Sequence, residues 1–313
     1  MLSVAILFDI LFPDPQIIWH PIALIGRWIA FLEKKTRRLF GNTLTAGFFL
    51  ALLSIVVSTG TVFALLTAVK ANDYLYIALS AVFLYFLLCG ATLRRSGERV
   101  QKALEKGDLN EARARLQEIV GRDTSTLDEE DIIRGVLETL SENTIDGLVS
   151  PLLFIFAGMF FGQPVIMGVL YKTINTLDSM VAYRNERFRN IGYFSAKLDD
   201  LANFLPSRIG AGLMILCGGL IKMDMKSAWR IMWRDARTHI SPNSGWPEAA
   251  VAGLLGVRLG GDAIYFGQTV KKASLGDDLR PPKPDDIRKL NRLIIVLESF
   301  FLLLSLALMK GLR

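Results

Sequence analysis

Long apolar runs separated by polar stretches dominate the chain. Leu44–Val69 and residues 74–93 contain no charged side chain. At about 1.5 Å per residue, each run is long enough as a helix to cross a hydrocarbon core of roughly 30 Å. Residues 293–309 form a third run, interrupted only by Glu298. The pattern predicts three membrane-spanning helices.

Two other apolar segments fit a simple span less well. Residues 148–171 are uncharged, but Gly162-Gln163-Pro164 interrupts them, and proline removes a helix hydrogen bond, so the segment is either one span or a broken hairpin. Residues 209–221 are shorter than the roughly 20 residues of a normal span and suit a re-entrant or protein-buried helix equally well. If both segments cross, residues 172–208 face away from the other polar loops. If both turn back, which we favour, every polar segment lies in the cytoplasm.

Two polar regions lie between the apolar segments. Residues 94–147 have amphipathic spacing that predicts a soluble helical insertion. Within this insertion, a helix is expected to begin at a capping box formed by Thr126 and Glu129. The apolar face of that helix is expected to comprise Ile132, Ile133, Val136, Leu137 and Leu140. Residues 222–290 form the second polar region.

The chain shows no β-alternation of useful length. We therefore predict an all-α fold, namely a multi-pass helical membrane protein with broken or re-entrant helices and cytoplasmic helical insertions. Residues 1–313 are expected to form a single integral membrane domain.

Composition and charge agree with a membrane protein and argue against nucleic acid as a partner. Hydrophobic residues make up 51% of the 313 residues, and charged residues make up 21%. The formal net charge is +6, but the basic residues concentrate near the ends of the apolar runs, as the positive-inside rule describes. Residues 13–43 carry five basic and two acidic side chains. This loop is therefore predicted to lie in the cytoplasm.

The N-terminus and the two cysteines exclude further classes. No Lys or Arg precedes the first apolar run, which reaches Asp9 almost at once, so no cleavable signal is expected and the chain is predicted to stay whole in the cell (inner) membrane. Cys89 and Cys217 lie in separate apolar segments without a CxxC partner. Neither a disulfide framework nor a zinc site is expected.

Acidic and amide side chains bracket residues 148–171. Glu142 and Asp146 are four residues apart before this segment, and Asn175 and Asp178 are three apart after it. Carboxylates at a membrane boundary are costly without a cationic partner, and oxygen ligands suit Mg²⁺. If the segment is re-entrant, its two arms bring these four side chains together as a hard-cation site.

The C-terminal half holds a second candidate region. Asp235 and His239 are four residues apart, so on a helix the carboxylate is expected to orient the imidazole. Residues 241–248 combine rigid Gly and Pro with Asn, Trp and Glu, which indicates a binding loop. The arginines within residues 183–187 suit phosphate or carboxylate, although a salt-bridged surface loop has the same composition. No familiar phosphate loop, dinucleotide, zinc-protease or nucleophile-elbow motif is present.

Short polar motifs run in order over nearly the whole chain. They are Asp14-Pro15, His20-Pro21, Ile25-Gly26-Arg27, Gly121-Arg122-Asp123-Thr124, Glu142-Asn143-Thr144, Asp146-Gly147, Asn175-Thr176-Leu177-Asp178-Ser179-Met180, Tyr183-Arg184-Asn185-Glu186-Arg187, Leu198-Asp199-Asp200, Ser241-Pro242-Asn243 and Trp246-Pro247-Glu248-Ala249-Ala250. Each motif is weak alone, but the ordered set resembles the CobD/CbiB family of cobalamin-biosynthesis membrane proteins.

The resemblance implies adenosylcobinamide-phosphate synthase activity. Such an enzyme is an ATP-dependent amide ligase that joins adenosylcobyric acid to (R)-1-amino-2-propanol or its O-phosphate, by way of an acyl phosphate. ATP and Mg²⁺ are the expected cofactors, and the corrinoid is a substrate. The expected partners are the lipid bilayer, a second copy of the chain and other cobalamin-assembly enzymes.

Residue types suggest roles within that reaction. The expected Mg²⁺ ligands are Glu142, Asp146, Asn175 and Asp178. The expected catalytic residues are His239, Glu248 and Arg184, with His239 or Glu248 as the proton acceptor. The expected substrate-binding and phosphate-binding residues are His20, Arg27, Arg122, Asp123, Tyr183, Asn185, Arg187, Asp199, Asp200, Asn243 and Trp246. Trp246 is expected to pack on the corrin or adenine, and His20 either ligates cobalt or, more often for such a turn, is structural.

Two other functions fit parts of the sequence. A non-enzymatic membrane sensor similar to AmpE-type proteins predicts eroded polar motifs, whereas the motifs here are complete. A corrinoid or metabolite transporter predicts broken membrane helices and an intramembrane charge, for which Glu298 is the candidate.

Overall fold

The structure is a computed structural model, and the residues it describes are 1–15, 17, 19–183, 185–261, 263–265, 268–270 and 273–311. Within these residues the chain forms α-helices α1 (Leu2–Leu11), α2 (Pro21–Phe40), α3 (Leu44–Val69), α4 (Asp73–Phe86), α5 (Gly90–Glu105), α6 (Leu109–Gln117), α7 (Glu129–Thr144), α8 (Ser150–Phe160), α9 (Pro164–Val181), α10 (Tyr193–Ala202), α11 (Phe204–Leu220), α12 (Met225–Asp235), α13 (Gly245–Leu255) and α14 (Pro284–Gly311). A π-helical segment, Ile145–Val149, joins α7 to α8, and a 3₁₀ turn, Ala236–Thr238, follows α12.

Strands are confined to one short stretch. Strands β1 (Leu259–Gly260) and β4 (Ser274–Leu275) pair antiparallel, as do β2 (Ala263–Tyr265) and β3 (Gln268–Val270). The predicted all-α class is confirmed.

The described residues include four helices that are long and apolar enough to cross a membrane: Leu44–Val69, Asp73–Glu105, Glu129–Phe160 and Pro284–Leu308. The pair Tyr193–Ala202 and Phe204–Leu220 makes a fifth if it counts as one broken span. Each of the three apolar runs predicted to span corresponds to one of these candidate helices, and the multi-pass helical membrane class is confirmed. The fourth candidate, Glu129–Phe160, was predicted only in part. Its C-terminal part lies in the apolar segment 148–171, but its N-terminal part has the spacing of an amphipathic helix and was assigned to the soluble insertion.

The chain forms two compact units. One comprises Met1–Cys89, Ser150–Asn203 and Leu308–Arg313, and the other comprises Gly90–Val149 and Phe204–Ala307. We call them unit 1 and unit 2. The helical insertion predicted at residues 94–147 falls within unit 2 as α5, α6 and α7.

In unit 1, α8 and α9 form a helical hairpin, so residues 148–171 are not one continuous helix. The chain turns at residues 161–163, where Gly162 has a φ of 66°, and Pro164 begins α9, where its missing N–H does no harm. The rings of Phe154 and Tyr171 meet at 5.0 Å. A Cβ at Gly158 would lie 2.7 Å from the Gln163 carbonyl oxygen. The two helices can approach this closely because residue 158 has no side chain.

The core of unit 1 joins α2, α3 and α9. Its buried members are Ile29, Leu32, Ala46, Leu50, Ala51, Leu177, Val181 and Ile191. A Cβ at Gly47 would lie 2.5 Å from the Ile191 carbonyl oxygen. Glycine therefore allows the segment after α9 to lie directly on α3.

In unit 2, α7 buries the apolar face that its spacing predicts. Ile132, Ile133, Val136, Leu137 and Leu140 have no exposed surface. The predicted capping box is wrong, because the N-cap is Asp128, whose Oδ1 accepts the Asp131 N–H at 2.9 Å. Three acidic residues in the first turn further favour this helix start through the helix dipole.

A buried ion pair ties α5 to α14 in unit 2. Arg94 donates to Glu298, and both side chains are almost fully buried. The Asn291 amide donates to the Arg94 carbonyl oxygen at 3.1 Å. A charge within an apolar helix is costly unless it is paired. Glu298 lies in an apolar run and therefore needs a polar partner, which Arg94 of the neighbouring helix α5 provides.

Candidate functional site

The C-terminal part of unit 2 brings an imidazole and a carboxylate together. His239 follows the 3₁₀ turn, and Glu248 lies in the first turn of α13. His239 Nε2 is 3.7 Å from Glu248 Oε1, and both side chains are more than nine-tenths buried. A Cβ at Gly245 would lie 2.2 Å from the Ala236 carbonyl oxygen and 2.6 Å from His239 Cβ. Glycine at this position lets α13 approach closely enough to make the pair.

The hydrogen bonds of the imidazole indicate its tautomer. The Ser241 N–H donates to His239 Nδ1 at 3.0 Å. Nδ1 also lies 3.3 Å from the Ser241 carbonyl oxygen. The shorter contact is with a backbone N–H, which cannot act as an acceptor, so it favours a lone pair on Nδ1 and the proton of the neutral ring on Nε2. In that tautomer the N–H on Nε2 faces Glu248 Oε1, 3.7 Å away.

The prediction that Asp235 orients His239 from one helix face is wrong. The α-helix ends at Asp235, and residues 236–238 tighten into a 3₁₀ turn. The Asp235 carboxylate instead accepts from Arg234 at 2.6 and 2.7 Å and from the Gly276 N–H at 2.8 Å. Burial raises the pKa of Asp235, but these hydrogen bonds outweigh it and bring the pKa below its ordinary value.

Arg208 on α11 is held in a fixed position beside this pair. Its guanidinium lies 3.8 Å from the ring centroid of Phe204 and 4.6 Å from that of Trp246. Its Nη1 donates to the Phe204 carbonyl oxygen at 2.5 Å and contacts Ser207 Oγ at 3.3 Å and Asn243 Oδ1 at 3.4 Å. The predicted loop residues Asn243 and Trp246 thus act on an arginine of the preceding helix.

A groove of about 680 Å³ opens at this place in unit 2. It is lined by Phe204, Arg208, Ile209, Trp229, Met232, Trp233, Ala236, Arg237, His239, Ser241, Pro242 and Trp246. Trp246 is only 3% exposed and forms part of the wall, whereas Trp233 is 59% exposed and meets Trp246 edge-on at 5.3 Å. Trp233, which was not predicted, offers more ring surface to a ligand.

The same loop reaches one of the predicted metal ligands. The Ser244 hydroxyl donates to Glu142 Oε1 at 2.6 Å. Ser241 Oγ in turn receives the N–H groups of Asn243 and Ser244 at 3.3 and 3.2 Å. The loop of residues 241–248 and the carboxylate of Glu142 are therefore coupled, which their separate motifs did not indicate.

Arg122 and Asp123 lie elsewhere in unit 2. Arg122 pairs with Glu138 at 3.3 Å, with both side chains largely buried, and Glu138 also accepts the Gly260 N–H at 2.8 Å. Asp123 is exposed and accepts the Ser125 N–H at 2.9 Å. That hydrogen bond holds the pKa of Asp123 below its ordinary value. The described contacts of Arg122 are those of a structural ion pair.

His20 in unit 1 acts as a helix cap. It is the N-cap of α2, and its Nδ1 accepts the Ile22 N–H at 3.2 Å. Its Nε2 lies 3.9 Å from Asp14 Oδ2, and the Phe86 ring meets it edge-on at 4.7 Å. This arrangement supports the structural role for His20 rather than a cobalt ligand.

Asp14 and His20 are both shifted by their surroundings. Burial and then the charge of Asp9 raise the pKa of Asp14 to about 7, against the lowering effect of Lys172. Burial and then Lys172 lower the pKa of His20. Near neutral pH, this imidazole therefore favours its neutral form.

The arginine-rich loop of unit 1 is held at its backbone. The Arg187 carbonyl oxygen accepts from Arg37 Nη2 at 3.1 Å, and Asn185 Oδ1 accepts the Phe188 N–H at 3.1 Å. Tyr183 is 47% exposed, and Arg27 on α2 is also exposed. Arg184 lies outside the described residues.

A buried polar network surrounds Asn203 in unit 1. Its Oδ1 accepts the hydroxyls of Ser150 at 2.7 Å and Tyr171 at 3.0 Å, and its Nδ2 donates to Asp199 Oδ2 at 3.0 Å. Asp200 pairs with Lys197 at 3.2 Å. Of the predicted pair, Asp199 therefore joins this network, whereas Asp200 pairs with the exposed Lys197.

The predicted Mg²⁺ ligands form two pairs on separate elements. Glu142 and Asp146 lie on α7 and the π-helical segment after it, while Asn175 and Asp178 lie on α9. Among the described residues, no group of three or more His, Cys, Asp or Glu could hold a metal ion. Mg²⁺ is often bound through only one or two carboxylates together with substrate phosphates. Each pair fits that mode, and the four ligands stay a prediction.

Several residues of these sites were not predicted. Arg208, Tyr171 and Ser150 had no place among the expected site residues, and Ser244 was included only as part of the predicted binding loop of residues 241–248. For Arg208 a signal existed, because Phe204 and Arg208 are four apart and face the same way on a helix. The others act on partners far away in sequence and carry no local signal.

Comparisons with known proteins agree with the ordered motifs. A family model described as "CobD/Cbib protein" matches residues 2–294. A "Cobalamin biosynthesis protein CobD" of Geobacter metallireducens is 44% identical over 302 residues, which is 96% of this chain and 93% of the relative. A "Cobalamin biosynthesis protein CbiB" of Salmonella paratyphi B is 40% identical over 99% of this chain and 97% of its own length. No solved structure matches.

Proposed function

Since the chain belongs to the CobD/CbiB family, it takes part in cobalamin biosynthesis as a multi-pass membrane protein, and we propose that its reaction there is amide formation. The proposed enzyme is an adenosylcobinamide-phosphate synthase. It joins the side-chain carboxylate of adenosylcobyric acid to (R)-1-amino-2-propanol or its O-phosphate and consumes ATP.

The proposed reaction needs activation because a carboxylate is a poor electrophile for an amine. A carboxylate oxygen attacks the γ-phosphorus of ATP, and ADP leaves. The amine nitrogen then attacks the carbonyl carbon of the acyl phosphate, inorganic phosphate leaves, and the nitrogen loses a proton. The site must therefore supply cations for phosphate oxygens and a base for the amine.

The observation that carries the proposal is the His239–Glu248 pair beside Arg208. Glu248 is 4% exposed and lies 3.7 Å from the imidazole. In the proposed mechanism Glu248 accepts the proton from the amine nitrogen, and His239 positions Glu248. Arg208 and Arg237 line the same groove and provide positive charge for phosphate or carboxylate oxygens. Glu248 does not line this groove, but its partner His239 does. The amide ligation requires a base close to cations, and the His239–Glu248 pair next to the two arginines supports that arrangement.

Mg²⁺ is part of the proposal as the partner of ATP. It would neutralise charge on the phosphate oxygens when bound. Glu142 with Asp146 in unit 2, and Asn175 with Asp178 in unit 1, are the two pairs each proposed to bind Mg²⁺. Ser244 fixes the Glu142 carboxylate through its 2.6 Å hydrogen bond, which favours one orientation of that ligand.

We also propose that the chain lies in the inner membrane with its motif loops facing the cytoplasm, where ATP is available. The basic loop of residues 13–43 supports this orientation. Cysteines introduced at Ser179 and Ser241 should be labelled from the cytoplasmic side only. Labelling of the two from opposite sides would contradict the shared location.

The activity is tested with purified protein in detergent. Adenosylcobyric acid, aminopropanol phosphate and Mg-ATP should yield the amide with one ADP for each amide bond. Glu142→Ala and Asp178→Ala should abolish turnover while the variants still unfold as cooperatively as the wild type. Substrate binding without turnover in the wild-type protein would reject the ligase. Wild-type rates in both variants would reject the Mg²⁺ assignment alone.

A further inference from the structure

The groove of unit 2 is larger than a proton transfer requires. Its volume of about 680 Å³ lies within the roughly 300 to 1,000 Å³ of small-molecule sites. It runs between α11, which supplies Phe204 and Arg208, and α12, which supplies Trp229 and Trp233. The chemistry of these walls indicates what kind of molecule fills it.

The groove favours anions. Arg208 and Arg237 both line it, and none of its described lining residues is acidic. Arg237 is exposed and makes no ion pair with any described residue. Two positive charges without a lining carboxylate attract a polyanion more strongly than they attract a neutral ligand.

Arg208 is preorganised to bind such an anion. Its guanidinium carbon lies over the ring of Phe204, 3.8 Å from the centroid, and over the ring of Trp246, 4.6 Å from the centroid. Its described hydrogen bonds all use Nη1. The N–H groups on Nε and Nη2 have no acceptor among the described residues. An arginine that is held by such contacts, and whose remaining N–H groups are available as donors, is suited to bind phosphate oxygens.

The other wall favours a planar ring. Trp229 and Trp233 are one helical turn apart on α12 and both line the groove. Trp233 is 59% exposed and is braced edge-on by the buried Trp246. An exposed indole held by a buried aromatic neighbour is a stacking surface for a nucleobase.

We propose that this groove is the nucleotide subsite, in which Arg208 and Arg237 bind the triphosphate of ATP and Trp233 stacks on the adenine. The inference rests on the proposed function insofar as ATP is the nucleotide consumed. It explains how a chain without a familiar phosphate loop binds a nucleotide. The phosphate contacts come from side chains of α11 and of the turn after α12.

Binding is tested without corrinoid or amine. Full-length protein in phosphatidylcholine nanodiscs is titrated with ATP and, separately, with inorganic tripolyphosphate. Arg208→Gln and Arg237→Gln should each weaken both ligands by about tenfold or more, since each loses a charge-assisted phosphate contact. Trp233→Leu should weaken ATP by about tenfold and leave tripolyphosphate unchanged, because only ATP has a base to stack.

The control is Arg258→Gln. Arg258 is an exposed arginine of the same unit whose described partner is the surface carboxylate of Asp278 at 3.3 Å. This variant makes the same charge change outside the groove and should bind both ligands as the wild type does. Arg237→Gln keeps the test valid if Arg208→Gln fails to fold, because Arg237 is exposed.

Two results would overturn the nucleotide subsite. The first is wild-type ATP affinity in both arginine variants. The second is a pair of observations: ATP does not bind in phosphatidylcholine nanodiscs, and the protein retains phosphatidylglycerol in a way that depends on Arg208. That pair would assign the groove to a lipid headgroup.

The amide-forming assay separates the subsite from the proposed function. Arginine-dependent ATP binding without amide product in the wild type would leave the subsite standing and reject the ligase. Amide formation by Arg208→Gln with an unchanged KM for ATP would leave the ligase standing and reject the subsite.

Discussion

The two histidines of the chain have the same local geometry in different surroundings. In each, Nδ1 accepts the N–H of the residue two positions later, at 3.2 Å for His20 and 3.0 Å for His239. In each, Nε2 faces a carboxylate, Asp14 at 3.9 Å and Glu248 at 3.7 Å. Judged by these distances alone, the two pairs are interchangeable.

Their surroundings separate them. The Phe86 ring lies edge-on to His20, and the raised pKa of Asp14 favours a protonated carboxyl. His239 lines a groove that also contains two arginines. An imidazole–carboxylate pair therefore indicates a candidate site only when its neighbours leave room and charge for a substrate.

The largest expected difference lies between the two carboxylates. Glu248→Gln should lower kcat for amide formation by about 10² to 10⁴, because it removes the proton acceptor. Asp14→Asn should leave kcat close to that of the wild type. Product formation by both purified variants measures this. Equal losses at the two positions would show that the groove does not distinguish the pairs.

A smaller difference is expected between the histidines. Asparagine at either position keeps an oxygen near the place of Nδ1 that can accept the backbone N–H, and it removes the Nε2 atom that faces the carboxylate. His239→Asn should lower kcat by about 10², because Glu248 is then misplaced, and should change KM little. His20→Asn should keep the helix cap of α2 and most of the activity. The split between kcat and KM is the readout. A rise in KM alone at residue 239 would assign His239 to substrate binding instead.

The smallest expected effect concerns stability and pH. The pKa of Asp14 is raised from 3.8 to about 7 on folding, so between these values the folded chain binds a proton that the unfolded chain has lost. Stability should then fall with rising pH by about 1.4 kcal/mol per unit from this group, and the loss should end above pH 7. Thermal unfolding in detergent should show a steeper fall for the wild type than for Asp14→Asn. Parallel curves would contradict the raised pKa.

Local patterns predicted those parts of the fold that depend on neighbours in sequence. The uncharged run Leu44–Val69 is a helix with the predicted bounds, and the apolar face of α7 is buried as its spacing requires. The start of α7 was misplaced because Thr126 and Asp128 both have the residue type of an N-cap, and the choice falls on Asp128.

The error at Asp235 has a different cause. Its spacing to His239 fits a helix, but its carboxylate binds the N–H of Gly276, 41 residues away. No local pattern reports a partner at that distance, so the helical interpretation could not be rejected from sequence.

The sequence by itself determined the membrane class, the main spans and, through ordered motifs, the family. The membrane class and the spans follow from the cost of burying charge in lipid, which keeps the spanning runs uncharged. The family follows from the identity and order of the motif residues. Only the tertiary structure decided which polar groups meet. Ser244 reaches Glu142 across 102 residues, and Arg208 reaches Asn243 across 35. Such pairs form because helix contacts bring distant segments together, and that geometry alone distinguishes His239 from His20.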